Sequence, residues 1–360
     1  FLMLSATIDV QTGNPYQVFI GHGLLDEIGT RLKACHSNCK IALLTDSTVA
    51  PLYLTRCAES LRSAGFEVIT SVVPAGEESK SFASLEQLMN EWSLAGLHRS
   101  DLVVALGGGV VGDLGGFAAS MYQRGIPFVQ VPTTLLAAVD SSVGGKTAID
   151  ITAGKNLVGA FYQPLAVYCD VNLIQTMDDT RFADEVAESI KYGVLGQPDL
   201  FERLSTIPLS PTASDLDHIV SQCVRHKNQV VSEDEFEKGN RAFLNLGHTF
   251  AHAIEHLSNF EVTHGHAVAI GLAMMARAAF KKGWCAPDVA NRIEDALMNN
   301  HLPISCDYDS EEMCEICRRD KKATSDTITI VVPLSIGHCE LKKVSYDTLL
   351  ELIILGKEPL

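Results

Sequence analysis

The sequence predicts an α/β fold, with a parallel-sheet domain followed by a helical domain. Short apolar segments alternate with helical patterns over the first half of the chain, as in parallel sheets that helices cover on both faces. From about Thr180 onward helical patterns predominate, and TITIVVP at 327–333 is the clear strand signal. We therefore predict domains at 1–177 and 178–360, with a ligand-binding cleft between them.

Four apolar or β-branched segments predict the strands of the first domain: KIALLTD (40–46), FEVITSVVP (66–74), DLVVALGGG (101–109) and PFVQVPTT (127–134). The segments APLYLTRCAESLRSAG and SFASLEQLMNEWSLAG have helical periodicity and lie between these strands. Both end at a glycine, which is typical of a helix C-terminus.

Composition and net charge limit the classes of partner that the chain is expected to bind. A chain of 360 residues with 46% hydrophobic and 20% charged residues is expected to fold throughout. Its net charge of −16 disfavours nucleic acid and anionic membranes as partners, because both attract basic surfaces. The longest apolar stretch, Ala267–Ala276, is much shorter than the roughly 20 residues that span a bilayer.

The cysteines and the first residues predict a cytoplasmic location. Ten cysteines without paired spacing, apart from the CxxC of Cys314 and Cys317, are typical of reduced thiols. The opening FLMLSATIDV lacks the pattern of a cleavable signal because Asp9 and a polar stretch interrupt it.

A glycine-rich turn predicts a dinucleotide site. LVVALGGGVVGDLGG places Gly107, Gly109 and Gly112 in G-x-G-x-x-G spacing between a strand and a helix, where backbone N–H groups can bind a pyrophosphate. An ordinary tight turn stays open as the alternative, because the acidic residue usual about 20 positions later is missing. Asp46, Asp113 and the GEESK stretch (76–80) would add polar groups at the same edge of the sheet.

RAFLNLGHTFAHAIEHL predicts one helix with two faces. The polar face carries Arg241, Asn245, His248, His252 and Glu255, and the apolar face carries Phe243, Leu246, Phe250, Ile254 and Leu257. Two histidines one turn apart can bind one metal, but the intervening Glu of a zinc protease is absent. A solvated face is the alternative.

A third ligand is expected from another segment. In RFADEVAESIKYGVLG, Asp184, Glu188 and Lys191 share one helix face. His264 precedes a helix so apolar and small-sided that we predict it to be buried, and we expect His266 to point elsewhere. A Glu with two His is a normal catalytic zinc set.

Cations in apolar or glycine-rich surroundings predict an anionic substrate. Lys146, Lys155 and Asn156 lie in glycine-rich stretches, and Lys227 lies on the apolar stripe of DLDHIVSQCVRHKNQVV. With Lys191 and Arg241 they could bind a carboxylate and a phosphate. A lysine that extends its ammonium group to solvent is the alternative for Lys227.

Several long motifs, in this order and spacing, resemble the 3-dehydroquinate synthase family: GGGVVGD, YQRGIPFVQVPTTLLAAVDSSVGGKTAID, GKNLVGAFYQP, the Glu188 helix, RAFLNLGHTFAHAIEH and HGHAVAIG. The resemblance runs from about Ile8 to the end. HGHAVAIG departs from the common HGEAVAIG, and NLGHTFAH from NFGHTFGH. The resemblance implies a Rossmann-like N-terminal domain, an all-α C-terminal domain and a homodimer.

The family reaction converts 3-deoxy-D-arabino-heptulosonate 7-phosphate to 3-dehydroquinate and phosphate, in the shikimate pathway of aromatic amino acid biosynthesis. It proceeds by transient oxidation at C5 with NAD⁺, phosphate elimination, re-reduction and aldol closure. The resemblance implies that Glu188, His248 and His264 bind Zn²⁺, for which Co²⁺ could substitute, and that His252 contacts substrate and takes part in proton transfer.

The same resemblance implies the remaining site residues. Lys146 and Asn156 would contact the substrate phosphate, with Arg124 reaching in from the same subunit or from a second one. Contacts to the carboxylate and hydroxyls would come from Lys191, Lys227, Arg241 and Asn245. Lys321 or Lys322 would close over the ligand. The NAD⁺ site would comprise Asp46, Glu77, Glu78, Lys80, Gly108, Gly109, Val110, Val111, Gly112, Asp113, Thr133, Thr134, Asp140, Lys146, Lys155, Leu173, Ile174, Gln175 and Thr176.

Three alternatives remain at this stage. Another sugar-phosphate cyclase would share most of these residues, although Asn156, Lys227 and Asn245 favour the dehydroquinate type. A metal-dependent polyol dehydrogenase would share the two-domain plan but has no use for so many converging cations. A noncatalytic NAD-binding regulator would not need the metal set.

Overall fold

The computed structural model describes residues 3–36, 39–320 and 326–360. Within them the chain forms two compact units. The first comprises the described residues up to Met177 together with Ser214–Glu235, and the second comprises Asp178–Ala213 and the described residues from Phe236 onward.

The strands are β1 Met3–Val10, β2 Tyr16–His22, β3 Lys40–Asp46, β4 Glu67–Val73, β5 Leu102–Gly107, β6 Phe128–Pro132, β7 Lys146–Ile151, β8 Gly154–Phe161, β9 Ala166–Asp170, β10 Thr327–Ser335 and β11 His338–Ser345. The α-helices are α1 Leu24–Cys35, α2 Thr55–Ser63, α3 Phe82–Leu94, α4 Gly109–Met121, α5 Val171–Ile174, α6 Asp179–Gly196, α7 Pro198–Thr206, α8 Leu216–Glu233, α9 His248–Leu257, α10 His264–Lys281, α11 Pro287–Asn299, α12 Ser310–Asp320 and α13 Tyr346–Lys357.

The first unit contains a seven-stranded sheet of order β1-β2-β9-β6-β5-β3-β4. Every neighbouring pair is parallel except β1 and β2. The four strands predicted from the sequence correspond to β3, β4, β5 and β6, so the predicted α/β fold is confirmed. Because β3, β5 and β6 are parallel, the polar residues that follow each of them lie at one edge of the sheet.

Alternate residues of β5 explain why this strand is apolar throughout. Leu102, Val104 and Leu106 join the core beneath α1 and α2, whereas Val103 and Ala105 join the core beneath α3 and α4. A strand that helices cover on both faces must be apolar on both.

Helix α8 packs against β1 and β2. Polar contacts join the same parts of the chain: Asn228 donates to the carbonyl of Asp9 at 2.9 Å, and Glu235 accepts from Gly13 N at 2.8 Å. Ser214–Glu235 therefore groups with the first unit, whereas the domain predicted at 178–360 includes this segment.

The second unit is built around α10, which contacts α6, α9, α11 and α13. Every residue from Ala267 to Ala279 is buried, as the sequence predicts, and most have small side chains that let neighbouring helices approach closely. The predicted strand at 327–333 lies within β10, which pairs with β11 in an antiparallel hairpin added to this helical unit. None of the helices within the described residues has the length and hydropathy needed to cross a membrane.

The predicted continuous helix over 241–257 is wrong in its first part. Asn240–Asn245 form a separate 3-10 turn, and α9 begins only at His248. The break falls at Gly247, whose φ of 79° lies in the left-handed region that ends a helix and favours glycine. Arg241 and Asn245 therefore lie on a different element from His248 and His252.

A close contact between α9 and α10 requires another glycine. A Cβ added at Gly271 of α10 would lie well inside contact distance of the Gly247 carbonyl and 3.3 Å from Ala251 N. The clash would be with backbone atoms, which a rotamer change cannot relieve.

We expect Gly271→Ala to destabilise the protein. Alanine favours a helix over glycine by about 1 kcal/mol, but forcing extra atoms into a packed interior costs about 1–3 kcal/mol or more, so the clash should prevail. The measurement is the thermal midpoint, which should fall by several degrees. Gly13→Ala is the control, because its added Cβ would meet only the Glu235 side chain at 3.5 Å. An equal or higher midpoint for Gly271→Ala would contradict the prediction.

Candidate active site

Three side chains meet in the second unit. Glu188 comes from α6, and His248 and His264 are the first residues of α9 and α10. Oε1 of Glu188 lies 3.2 Å from Nε2 of His248 and 3.3 Å from Nε2 of His264. One ligand atom from each residue lies within 4.8 Å of the others. The structure thus brings together the three residues predicted as metal ligands.

The start of α10 is fixed by Asp184 on α6. Its carboxylate accepts from the Thr263 hydroxyl at 2.5 Å, from Gly265 N at 3.3 Å and from His266 N at 2.7 Å. The bonds from Gly265 N and His266 N satisfy N–H groups that a helix N-terminus leaves without intrahelical partners. A Cβ at Gly265 would collide with the Asp184 carbonyl, so the first glycine of HGHAVAIG allows α10 to pack closely against α6. Asp184 thereby positions His264.

Both imidazoles are oriented through Nδ1. Nδ1 of His248 lies 3.1 Å from the Leu246 carbonyl, and Nδ1 of His264 lies 3.3 Å from Oε1 of Glu255. A ring that donates from Nδ1 leaves Nε2, which in both histidines lies beside Glu188, able to offer its lone pair to a metal. Two such nitrogens with a carboxylate oxygen form a normal donor set for Zn²⁺, held by the outer contacts usual at metal sites. The residues fit the metal.

The site is buried and strongly charged. Glu188 is 1% exposed and Lys191 is 2% exposed, with Nζ of the lysine 2.5 Å from Oε2 of the glutamate. Burial by itself would raise the pKa of Glu188, but Lys191 and His248 hold that pKa well below its ordinary value. Burial lowers the pKa of His248. Burial also opposes protonation of His264, yet Glu188 and Glu255 raise its pKa to about 10.

His252 lies beside the three ligands without belonging to them. It is exposed on α9, and its ring centroid is 5.7 Å from that of His248. The group of possible metal ligands found among the described residues contains Glu188, His248 and His264 but not His252. Arg241 is buried and Asn245 is half-buried on the turn that precedes α9.

A second polar cluster lies at the carboxyl edge of the sheet in the first unit. Lys80 is buried, and its Nζ donates to Asp113 Oδ2 at 2.9 Å and to the side-chain oxygen of Asn156. Glu77 Oε1 lies 3.3 Å from the same ammonium, and Asp150 Oδ1 lies 3.9 Å from it. The predicted residues Glu77, Lys80, Asp113 and Asn156 are therefore neighbours.

Burial disfavours the charged forms of both Asp113 and Lys80. It raises the pKa of Asp113 to about 6, although the Lys80 ammonium opposes the rise. Burial would lower the pKa of Lys80, but Asp113 and Glu77 raise it. Asn156 has a positive φ of 57°, and its backbone N donates to Asp150 at 2.7 Å. The β7–β8 hairpin therefore holds Asn156 against Lys80.

The glycine-rich turn connects β5 to α4 and lies close to β6. A Cβ at Gly108 would lie 3.0 Å from Thr134 Cγ2, and one at Gly112 would lie 2.5 Å from Gln130 Oε1. Close packing against Thr134 and Gln130 therefore requires glycine at these two positions. It is compatible with a nucleotide site, because α4 starts at Gly109 with N-terminal N–H groups. Thr133 Oγ1 is buried without a hydrogen-bond partner in the described part of the chain.

Other predicted nucleotide positions have structural contacts. Asp46 accepts from Thr48 N and Val49 N at 2.8 and 3.0 Å. The Tyr53 hydroxyl contacts the Leu173 carbonyl and the Thr176 hydroxyl. Ile174 ends α5, with Gln175 directly after it, while Val110 and Val111 lie in the first turn of α4 and Glu78 is exposed in a short turn.

The predicted cations differ in their surroundings. Lys227 is buried in the first unit, where Nζ donates to the Asp140 carbonyl at 2.6 Å and lies 3.1 Å from Asp140 Oδ1. It does not extend to solvent. Arg124, Lys146 and Lys155 are exposed. Lys321 and Lys322 lie outside the described residues.

Three residues near these sites have contacts that the sequence pattern did not assign. Asp150 joins the Lys80 cluster, Asp184 holds the start of α10, and Glu255 contacts His264. The signal for Glu255 was its position seven residues after His248, on the same helix face. No comparable sequence signal pointed to Asp150.

The chain shares its two-domain fold with proteins of the sugar-phosphate cyclase class. Among solved structures, the chain is similar to 2-deoxy-scyllo-inosose synthase complexed with carbaglucose-6-phosphate, NAD⁺ and Co²⁺. The TM-score is 0.84 at 25% sequence identity, and the similarity covers 97% of this chain and 99% of that chain.

Sequence comparisons give the particular family. The profile described as 3-dehydroquinate synthase N-terminal matches residues 70–184, and the C-terminal profile matches residues 185–323. The 3-dehydroquinate synthase of Caulobacter vibrioides is 43% identical over 94% of this chain and 95% of its own length. That of Clostridium acetobutylicum is 38% identical over 94% of this chain and 96% of its own length. The chain belongs to the 3-dehydroquinate synthase family, and its activity is that of the family, a carbon–oxygen lyase reaction that releases phosphate.

Proposed function

We propose that this chain performs the 3-dehydroquinate synthase reaction at the Glu188–His248–His264 centre. The observation that carries the proposal is the convergence of one carboxylate oxygen and two Nε2 atoms from three helices, each imidazole oriented through Nδ1. The substrate is 3-deoxy-D-arabino-heptulosonate 7-phosphate and the products are 3-dehydroquinate and phosphate.

The two cofactors divide the chemistry. When bound, Zn²⁺ or Co²⁺ supplies a Lewis acid and NAD⁺ supplies a reversible hydride acceptor. Glu188, His248 and His264 hold the metal. The edge of the parallel sheet holds NAD⁺, through the glycine-rich turn, Lys80 and its neighbours, and the remaining positions that the family resemblance implies. The buried hydroxyl of Thr133 supports this placement because it offers a hydrogen-bonding group.

The substrate is a phosphorylated sugar-like anion, and cations bind it. In the second unit, Lys191 and Arg241 are buried side chains that contact its carboxylate and hydroxyls, assisted by Asn245. Lys146 and Asn156 contact its phosphate, and Lys227 contributes a further positive charge. The enzyme works as a homodimer. In it the exposed Arg124 of one copy reaches the substrate site of the other copy.

Proton transfer is assigned to His252. His252 is exposed and lies one turn after the ligand His248, so a bound substrate can reach its side chain. It orients the substrate and exchanges protons with it, while the buried ammonium of Lys191 stabilises negative charge that develops on the substrate.

The activity assay has a characteristic stoichiometry. We expect the chain, with heptulosonate 7-phosphate, Zn²⁺ and catalytic NAD⁺, to release one phosphate for each 3-dehydroquinate formed. Because the hydride returns to the product, NADH should not accumulate during turnover. Phosphate release, product formation and NADH absorbance are measured in the same reaction. Steady NADH formation from a simple polyol, without phosphate release, would contradict the proposal and favour the dehydrogenase.

The competing functions are weaker. The polyol dehydrogenase alternative is not favoured, because the full-length relatives are 3-dehydroquinate synthases and a net oxidation gives no role to the buried Lys191. The regulator alternative leaves the oriented metal ligands without use. A sibling sugar-phosphate cyclase is tested by offering another heptulose phosphate to the enzyme, which should turn over more slowly than the heptulosonate.

We also propose a cytoplasmic location and no nucleic acid or membrane partner. The ten cysteines all lie within the described residues, and none of them forms a disulfide there, which fits a reducing compartment. The net charge of −16 opposes binding to polyanions.

A further inference from the structure

Glu255 connects the helix of one metal ligand to the ring of another. It lies on α9 two turns after His248, and its Oε1 is 3.3 Å from Nδ1 of His264. Nε2 of the same ring is 3.3 Å from Glu188 Oε1. One imidazole therefore spans two carboxylates from different helices. We propose that Glu255 is a positioning residue that fixes the orientation and tautomer of His264 for metal binding, an inference that rests on the metal site proposed above.

The two histidine ligands need different support. The His248 ring is 14% exposed, and its Nδ1 faces a backbone carbonyl that cannot rotate away. The His264 ring is 35% exposed and begins a helix, so packing confines it less. Without an acceptor at Nδ1, rotation of this ring would exchange the positions of its two nitrogens. Glu255 supplies the acceptor.

The burial of Glu255 is consistent with such a role. A buried carboxylate is costly unless hydrogen bonds and opposite charge compensate it. Glu255 is 8% exposed, whereas the neighbouring Glu261, three residues before His264, is exposed. A carboxylate that was needed only for solubility would lie on the surface as Glu261 does.

The chemistry of the contact favours metal binding at Nε2. An acceptor at Nδ1 holds the ring proton there, and a charged acceptor makes Nε2 a more basic ligand. Helix geometry supplies this arrangement, because residues seven positions apart share a face. Helix α9 thus provides a ligand at its first residue and the orienting carboxylate of the next ligand two turns later.

The test measures metal affinity apart from catalysis. Zn²⁺ affinity is measured by chelator competition, and the Co²⁺-loaded protein is measured by visible absorption. Glu255→Ala should bind Zn²⁺ roughly 10–100-fold more weakly, as is usual when an outer contact of a ligand is lost, and its Co²⁺ spectrum should change. Glu255→Gln keeps an acceptor oxygen without the charge, so its affinity should lie between those of Glu255→Ala and the unaltered chain.

Glu261→Ala is the matched control, because it removes the same charge near His264 without removing the contact. It should bind Zn²⁺ as the unaltered chain does. If Glu255→Ala fails to fold, the near-isosteric Glu255→Gln decides alone by its weaker affinity and altered spectrum. Unchanged affinity in the Glu255 variants, or an equal loss in Glu261→Ala, would overturn the inference and leave the metal site standing. An unaltered chain that binds no metal would overturn both.

Discussion

His248→Ala is expected to abolish metal binding and catalysis together, whereas His252→Ala is expected to keep the metal and lose rate. His248 presents Nε2 to Glu188 at 3.2 Å, while His252 lies outside the ligand group on the exposed side of α9. A bound metal contributes several kcal/mol to catalysis, and each 1.4 kcal/mol is worth about tenfold in rate. The expected loss for His248→Ala is therefore about 10³-fold or more.

The loss for His252→Ala is expected to be about 10²–10⁴-fold, the usual contribution of a general acid or base. Metal content per chain and kcat are measured on both variants after purification with added Zn²⁺. The decisive comparison is metal content, which should be lost in His248→Ala and kept in His252→Ala. Equal loss of metal in both would make His252 a ligand, and full activity in His252→Ala would remove its role in proton transfer.

The sequence predicts the ligand set better than it predicts the elements that carry it. The residue pattern singles out Glu188, His248, His252 and His264 as candidates, and the family resemblance then selects Glu188, His248 and His264. The break at Gly247 was missed because the spacing of Arg241 and Asn245 happens to continue the polar face of α9 backward. The left-handed φ of Gly247 shows that this turn is separate from α9. The spacing of apolar residues carries no information about a backbone angle.

Contacts between residues far apart in the chain could not be predicted from the sequence either. Asp184 was placed on the face of Glu188, but its bonds to the start of α10 join residues about 80 positions apart. The hairpin partner β11 was missed because its segment HCELKKVS contains few apolar residues, and only one of its residues is buried, so it gives little strand signal. By contrast, the bounds of β3 and β5 were predicted within a residue or two. A strand that helices cover on both faces is apolar along most of its length, and such a run is easy to recognise in a sequence.

Lys191→Met is expected to reduce activity strongly while leaving metal affinity equal or higher. The Lys191 ammonium lies 2.5 Å from the carboxylate of Glu188, where its charge opposes a divalent cation at the same carboxylate. Removing that charge should favour the metal. The same removal takes a buried positive charge from the substrate site, and loss of one such stabilising group costs about 10²–10³-fold in kcat. Catalysis should therefore fall while metal affinity stays equal or rises.

Chelator competition and steady-state kinetics measure the two effects on one preparation of Lys191→Met. Lys282→Met is the control, because Lys282 pairs with Glu351 on the surface of the same unit, where ion pairs contribute about 0–1 kcal/mol. If Lys191 only maintained the structure of α6, the variant would lose metal and activity in parallel and its thermal midpoint would fall. A parallel loss would thus reject a direct electrostatic role, whereas opposite changes require that the ammonium acts on the substrate while it competes with the metal for Glu188.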